Sequence, residues 1–285
     1  MKTIAILGPG LLGASIALAL RERGGVRVAM WARRLEAVAE VGRAGCADVA
    51  STALADVVKG ADVIVFATPI GAMPALAREL VEHVSPSALV TDVGSVKAPV
   101  VAELGGIFRG GARFVGSHPM AGSEQTGLQA ARADLFQGRV CIVTPTADTD
   151  PATTRDAAAF WESIGGHVET LTPEAHDEAV AWISHLPHLL APALVSVVAA
   201  HAPAALAVCG PGFHSSVRLA GSNPAMWTEI LGQNHAAVRK SLDALIEKLS
   251  ELATLLDRAG PGRDPAMHEF LNQAKAQRDR LRPAN

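Results

Sequence analysis

The chain has 285 residues, 49% apolar and 19% charged, a globular profile with room for one large or two ordinary domains. A net charge of −3 and a pI near 6.4 give no electrostatic case for nucleic acid or an anionic membrane, though a local basic site would still hold a small anion. Three cysteines, Cys46, Cys141 and Cys209, lack metal-type spacing and read as reduced thiols of a cytoplasmic protein rather than as disulfides.

The first twenty residues resemble a secretory signal, with Lys2, an apolar run and Ala17-Leu18-Ala19. Gly8-Pro9-Gly10 and Gly13 fall inside that supposed apolar helix, where glycine and proline are poorly placed. They fit another pattern. A strand over residues 3–7 runs straight into Gly8-x-Gly10-x-x-Gly13, which opens a helix over 13–23. In this context the first glycine permits a tight turn, the second lets the backbone approach a pyrophosphate, and the third lets helix and strand pack closely. The helix N-terminus at Leu11 and Leu12 then offers free N–H groups to phosphate.

A second strand over 26–31 ends at Trp31-Ala32-Arg33-Arg34. An NAD site usually has a carboxylate there for the ribose 2′-hydroxyl. Two arginines instead suit a 2′-phosphate, so NADP is favoured and NAD remains admissible. The alternative is that Arg33 and Arg34 are a solvated helix start. Further strands are expected over 63–67, 89–92, 113–116 and 140–144, with a helix over 73–84 among them. Thr68 and Pro69 follow one strand's carboxyl end, either as a wall of the cofactor pocket or as an ordinary turn. The alternation predicts a doubly wound, mostly parallel α/β sheet over residues 1–172.

From residue 173 the pattern becomes helical. Thr172 precedes Pro173 as an N-cap precedes a first-turn proline. Apolar helices are expected through residue 200, around 226–256 and over 266–281, with turns at Gly210-Pro211-Gly212 and Gly260-Pro261-Gly262. The apolar run over 189–209 contains Pro192, His201 and Pro203 and reads as a buried subunit core rather than a membrane span. Residues 173–285 are therefore expected to form an all-helical substrate-binding and dimerisation domain.

Two segments carry candidate chemistry. Thr91–Lys97 (TDVGSVK) and the stretch from Gly116 to Glu124 (GSHPMAGSE) are each expected just beyond a strand's carboxyl end, converging on the crevice above the sheet. A histidine there, His118, can take a proton from an alcohol at working pH, with a serine beside it fixing the ring; the alternative is a hydrogen-bonded structural histidine in a turn. These segments, with SHLPH from Ser184 to His188 and RLAGSNPAMW from Arg218 to Trp227, resemble in sequence and order the blocks of the prephenate/arogenate dehydrogenase family. The likeness runs from residue 3 to about 256.

The resemblance implies a nicotinamide-dependent oxidative decarboxylation of prephenate to 4-hydroxyphenylpyruvate in tyrosine biosynthesis. It implies His118 as the group that polarises the substrate hydroxyl and Ser95 as its orienting neighbour beside the nicotinamide. Arg218 would bind a substrate carboxylate. His188, His185 and Ser184 would line the pocket, Trp227 its edge and Glu124 its mouth. A metal site built from His185, His188 and His176 or Asp177 lacks a third ligand at convincing spacing, so no metal is expected. The chain departs from larger members in leaving no room for an appended regulatory domain or a fused chorismate mutase. Arogenate is the runner-up substrate. Another 3-hydroxyacid-type dehydrogenase would want a catalytic lysine in the helical part, and a non-catalytic nucleotide sensor gives no reason for Ser95, His118 and Arg218 together.

Overall fold

The computed structural model describes residues 1–123, 125–258 and 264–281. In chain order, β1 (Lys2–Leu7), α1 (Leu11–Arg23), β2 (Val26–Trp31), α2 (Leu35–Ala44), β3 (Val49–Ser51), α3 (Leu54–Val58) and β4 (Val63–Phe66) alternate. They continue with α4 (Met73–Leu80), β5 (Leu89–Asp92), α5 (Ala98–Ile107) and β6 (Arg113–Phe114). The strands form one parallel sheet in the order β3-β2-β1-β4-β5-β6. Its central strands are short apolar runs buried on both faces, as a parallel sheet covered by helices requires. One face packs Ile16 and Leu20 of α1 with Phe160 and Trp161; the other packs Val57, Met73, Ala77 and Leu104 of α3, α4 and α5. The strand order reverses between β1 and β4, the place where such sheets open a ligand crevice.

The strand expected over 113–116 is in fact two. After β6 the chain breaks at the buried Val115 and enters β7 (Gly116–Pro119), which joins a second sheet. There β7 pairs antiparallel with β8 (Val140–Thr144), α6 (Pro151–Ser163) follows, and β9 (His167–Thr170) pairs parallel with β8. A Cβ at Gly116 would lie 2.6 Å from both Thr144 Oγ1 and Val101 Cγ2, so any larger residue at the crossing point would displace these buried side chains. His118, expected in a loop beyond a strand, therefore lies inside a buried one. The reason is that a period-two pattern marks a strand without marking which sheet it joins. Strands β3 and β9 were not expected; both are short, and β9 is mostly exposed, so neither carries a strong apolar signal.

The helical half opens at α7 (Pro173–Val180), with the Thr172 hydroxyl accepting from Ala175 N at 3.2 Å. A π-helical turn, Ala181–His185, leads directly into α8 (Leu186–His201). Then come α9 (Pro211–Val217), α10 (Pro224–Gln233), α11 (His235–Arg258) and α12 (Pro265–Arg278). The single helix expected around 226–256 is interrupted at Asn234, whose side-chain amide donates to Asp177 O at 2.8 Å and faces His185 Nδ1 at 3.2 Å. The turn expected at Gly260-Pro261-Gly262 lies outside the described residues. The stretch Pro173–His201 is long and apolar enough, with a mean hydropathy of 1.6, to cross a membrane by composition. It nevertheless buries His176, Asp177 and His185 in the interior of the protein, where their polar atoms are used.

Candidate active site

At the end of β1 the chain turns through Gly8 at φ +115, with its N–H bonded to Trp31 O at 3.0 Å. A Cβ there would meet Ala67 O at 2.7 Å, and one at Gly13 would sit 2.0 Å from Gly8 O. Gly10 is different: a Cβ there would meet nothing within 4 Å. Gly10 is also the N-cap of α1, and no side chain caps that helix, so the first N–H groups, those of Leu11 and Leu12 among them, stay open to an anion. Beside this loop the Thr68 hydroxyl is buried without a hydrogen-bond partner, and Pro69 follows it at the crevice. Open space at Gly10, unpaired amides and an orphaned hydroxyl together fit a dinucleotide. Arg33 and Arg34 are exposed at the end of β2, and Arg34 is the N-cap of α2.

Two strands away, the buried Asp92 at the end of β5 organises the second segment. Its carboxylate accepts from Gly94 N at 2.7 Å and Ser117 N at 3.1 Å, and pairs with the fully buried Lys97 Nζ. Lys97 Nζ also donates to Ser117 O at 2.9 Å. The Ser117 hydroxyl donates to Asp92 O at 2.6 Å, accepts from Trp161 Nε1 at 3.0 Å and lies 2.8 Å from Thr91 Oγ1. Both backbone polar groups of Ser117 are thus held by side chains, which fixes the next residue, His118.

His118 is 6% exposed, and its Nδ1 lies 2.9 Å from His176 Nε2. His176 Nδ1 in turn lies 2.8 Å from Asp177 Oδ1. The Asp177 carboxylate also accepts from the backbone N–H of Lys97 at 2.6 Å and Ala98 at 2.8 Å, at the positive end of α5. Burial pushes the pKa of His118 well below its ordinary value, with His176 and Lys97 adding to the shift. Burial also lowers His176, against the opposing pull of Asp177. Both rings are therefore neutral near pH 7, and a neutral imidazole can accept a proton. The hydrogen bond that orients His118 comes from His176 and not from Ser95. Among the described residues no hydrogen bond joins Ser95 to His118, and Ser95 is half-buried in the turn between β5 and α5.

The π turn delivers the next group. His185 is fully buried and lowered to about 4, chiefly by burial. Its Nδ1 faces the Asn234 amide, which puts the proton on Nε2; that atom meets no partner at hydrogen-bond geometry, while the Ser95 backbone still pulls the ring's pKa upward against its burial. His188, one turn on, donates from Nδ1 to Ser184 O at 2.9 Å and stacks on Trp227 with ring centroids 3.5 Å apart. Trp227 also meets His185 edge-on at 5.8 Å. Burial lowers His188, and the Arg218 charge lowers it further, which places that guanidinium near the same wall. Glu124 lies outside the described residues.

Sequence reasoning missed the roles of Asp92, Lys97, His176, Asp177 and Asn234. Asp92 and Lys97 lie inside TDVGSVK, and the sequence alone offers His176 and Asp177 only as metal ligands. Among the described residues no group of three His, Cys, Asp or Glu side chains is arranged to hold a metal.

A glycine-loop nucleotide site, a neutral buried histidine and a helical second half define a nicotinamide-dependent dehydrogenase of two parts. Residues 16–170 match the family model for the prephenate dehydrogenase nucleotide-binding domain, and residues 172–273 that for the prephenate dehydrogenase dimerization domain. The chain belongs to the prephenate dehydrogenase family. It is 32% identical over 281 residues to the cyclohexadienyl dehydrogenase of Zymomonas mobilis, covering 96% of this chain and 94% of that one. The prephenate dehydrogenase of A. aeolicus, solved with hydroxyphenyl propionate and NAD+, superposes with a TM-score of 0.89 at 32% identity, over 98% and 97% of the two chains. The Synechocystis arogenate dehydrogenase gives 0.82 at 32% identity, over 98% and 99%.

Proposed function

We propose that this protein oxidises prephenate to 4-hydroxyphenylpyruvate and carbon dioxide, with NADP as the preferred hydride acceptor. The observation that carries the reading is a neutral, buried His118 that feels His185, a member of a wall shared with His188, Trp227 and Arg218, in a chain with an open nucleotide loop. The nicotinamide supplies a two-electron acceptor for hydride. The chain's residues do the rest. His118 takes the C4 hydroxyl proton as the C4–H electron pair departs as hydride. Loss of carbon dioxide leaves its C–C electron pair in the ring, which becomes aromatic, and His118 returns the proton to the phenolate oxygen. Arg218 would hold a substrate carboxylate, His185 Nε2 would donate into the pocket, and Ser95 would flank the nicotinamide.

The NADP preference rests on Arg33 and Arg34, exposed at the β2 end where a carboxylate would repel a 2′-phosphate. A homodimer, with each domain boundary at residues 172 and 173, rests on the apolar surface left open on the helices. Val197, Ile246, Leu249, Leu256 and Leu271 are 49–64% exposed in the single chain. Burial raises the thiols of Cys46 and Cys141, which suits unreactive cysteines in a reducing cytoplasm. The test is nicotinamide absorbance with prephenate and with arogenate, each with NADP and NAD. Turnover of prephenate is expected; turnover of arogenate alone would move the substrate to the amino compound, and silence from folded, NADP-binding protein would sink the reading.

A further inference from the structure

We propose that His176 and Asp177, from the helical half, are positioning residues that fix His118 as the tautomer carrying its proton on Nδ1, leaving Nε2 as the bare acceptor. The inference rests on the reading of His118 as the proton acceptor and adds what decides which ring nitrogen serves.

The argument is one of donors and acceptors. Asp177 Oδ1 already accepts the Lys97 N–H, so its only useful partner in an imidazole 2.8 Å away is an N–H. His176 therefore carries its proton on Nδ1. In a neutral ring that leaves Nε2 bare. The atom 2.9 Å from it, His118 Nδ1, must then be the donor, because two lone pairs at that distance repel. His118 Nε2, at the other edge of the ring, has no proton and can take one. The opposite assignment requires His176 as an imidazolium, and burial opposes that charge at both rings.

The same chain of bonds answers the proton's arrival. When His118 becomes imidazolium, its Nδ1–H already points at His176 Nε2, and the Asp177 carboxylate lies behind. Asp177 cannot drift, since two backbone N–H groups at the start of α5 hold its oxygens at 2.6 and 2.8 Å. Lys97, which gives one of them, holds the Ser117 carbonyl with its side chain. Both the backbone before His118 and the ring of His118 are thus referred to one element, α5.

The tautomer can be read without turnover. In full-length protein labelled with nitrogen-15 histidine, the His118 signals, assigned by their loss in His118→Asn, should show a protonated Nδ1 and a bare Nε2. A proton on Nε2 would overturn the proposal, whether or not prephenate is the substrate. In the activity arm, His176→Leu should lower kcat on the order of 10²-fold and shift the kcat–pH profile, with KM for prephenate unchanged. His176→Gln, whose amide oxygen can still accept from His118 Nδ1, should recover part of that loss. Equal kcat in wild type and His176→Leu, or an equal loss in Leu and Gln variants with the His118 signals unmoved, would remove His176 from this role. Should His176→Leu fail to fold, the wild-type spectrum and the Gln variant still decide. A wild type inert with every substrate but showing the expected tautomer would instead fault the functional reading.

Discussion

Gly10 and Gly13 belong to one motif, yet alanine should harm them differently. At Gly13 a new Cβ would lie 2.0 Å from the backbone atom Gly8 O and 3.0 Å from the Ala67 methyl, neither of which has room to move. Overpacking of that kind costs about 1–3 kcal/mol, so Gly13→Ala should lower the melting temperature of the free protein. Gly10 has φ −73 and ψ −175, conformations open to alanine, and nothing within 4 Å of the added methyl. The unfolded chain loses freedom, worth ~0.4–1 kcal/mol to the folded state, while alanine is a poorer N-cap by a similar amount. Those effects offset, and Gly10→Ala should melt within about 2–4 °C of wild type. The methyl does occupy the space a pyrophosphate needs to reach the helix amides. Loss of one charged hydrogen bond, ~1.5–3 kcal/mol, raises Kd roughly 10- to 150-fold. Thermal melts without ligand, paired with NADPH fluorescence titrations, separate the two. Wild-type NADPH affinity in Gly10→Ala would refute the placement of the phosphates at this loop.

His118→Asn keeps a polar side chain and loses the base, so kcat should fall by on the order of 10² or more while NADPH titrations stay unchanged; normal turnover would exclude His118 from the proton step. Replacing both Arg33 and Arg34 with alanine should weaken NADP more than NAD, read as the ratio of their Kd values, and an unaltered ratio would undo the 2′-phosphate argument. Stability should fall in acid. Burial lowers His185 from 6.5 to about 4, so the unfolded chain binds its proton first as pH drops. The stability is fully present above 6.5 and is lost as pH falls toward 4; His185 alone accounts for about 2 kcal/mol of loss by pH 5, and His118 and His176 act in the same direction. Urea unfolding at neutral and mildly acid pH should show a lower midpoint in acid, and coincident midpoints would contradict neutral burial.

What could be read from the sequence was what neighbouring residues decide. Gly8, Gly10 and Gly13 follow β1 directly and open α1, so their spacing in that context implies the turn, the open helix start and a dinucleotide. Thr172 and Pro173 announce α7 in the same local way. The strand break at Val115 was hidden, because the residues on either side of it extend the same pattern into a different sheet. So was the partner of His118. His176 is separated from it by 58 positions, and the sequence alone offers His176 and Asp177 only as possible metal ligands near a helix start. Asn234 looked like an ordinary polar position of a long helix. Its side chain instead bonds Asp177 O and His185, and the helix divides there.

A buried ion pair is weak evidence for stability, since desolvation of two charges can exceed their attraction. The Asp92–Lys97 pair is better understood by what else its atoms hold. β5 and β7 belong to different sheets and share no ladder. In place of one, Asp92 takes the Ser117 N–H and Lys97 takes the Ser117 carbonyl, which are the two groups a neighbouring strand would have bonded. The pair therefore ties the strand that carries His118, whose register in its own sheet is set by β8, to the end of β5 in the other sheet. Two methylene-rich apolar side chains of equal volume would pack in the same space and leave both Ser117 groups unsatisfied. The charge is retained for position, and what it positions is the backbone that carries His118.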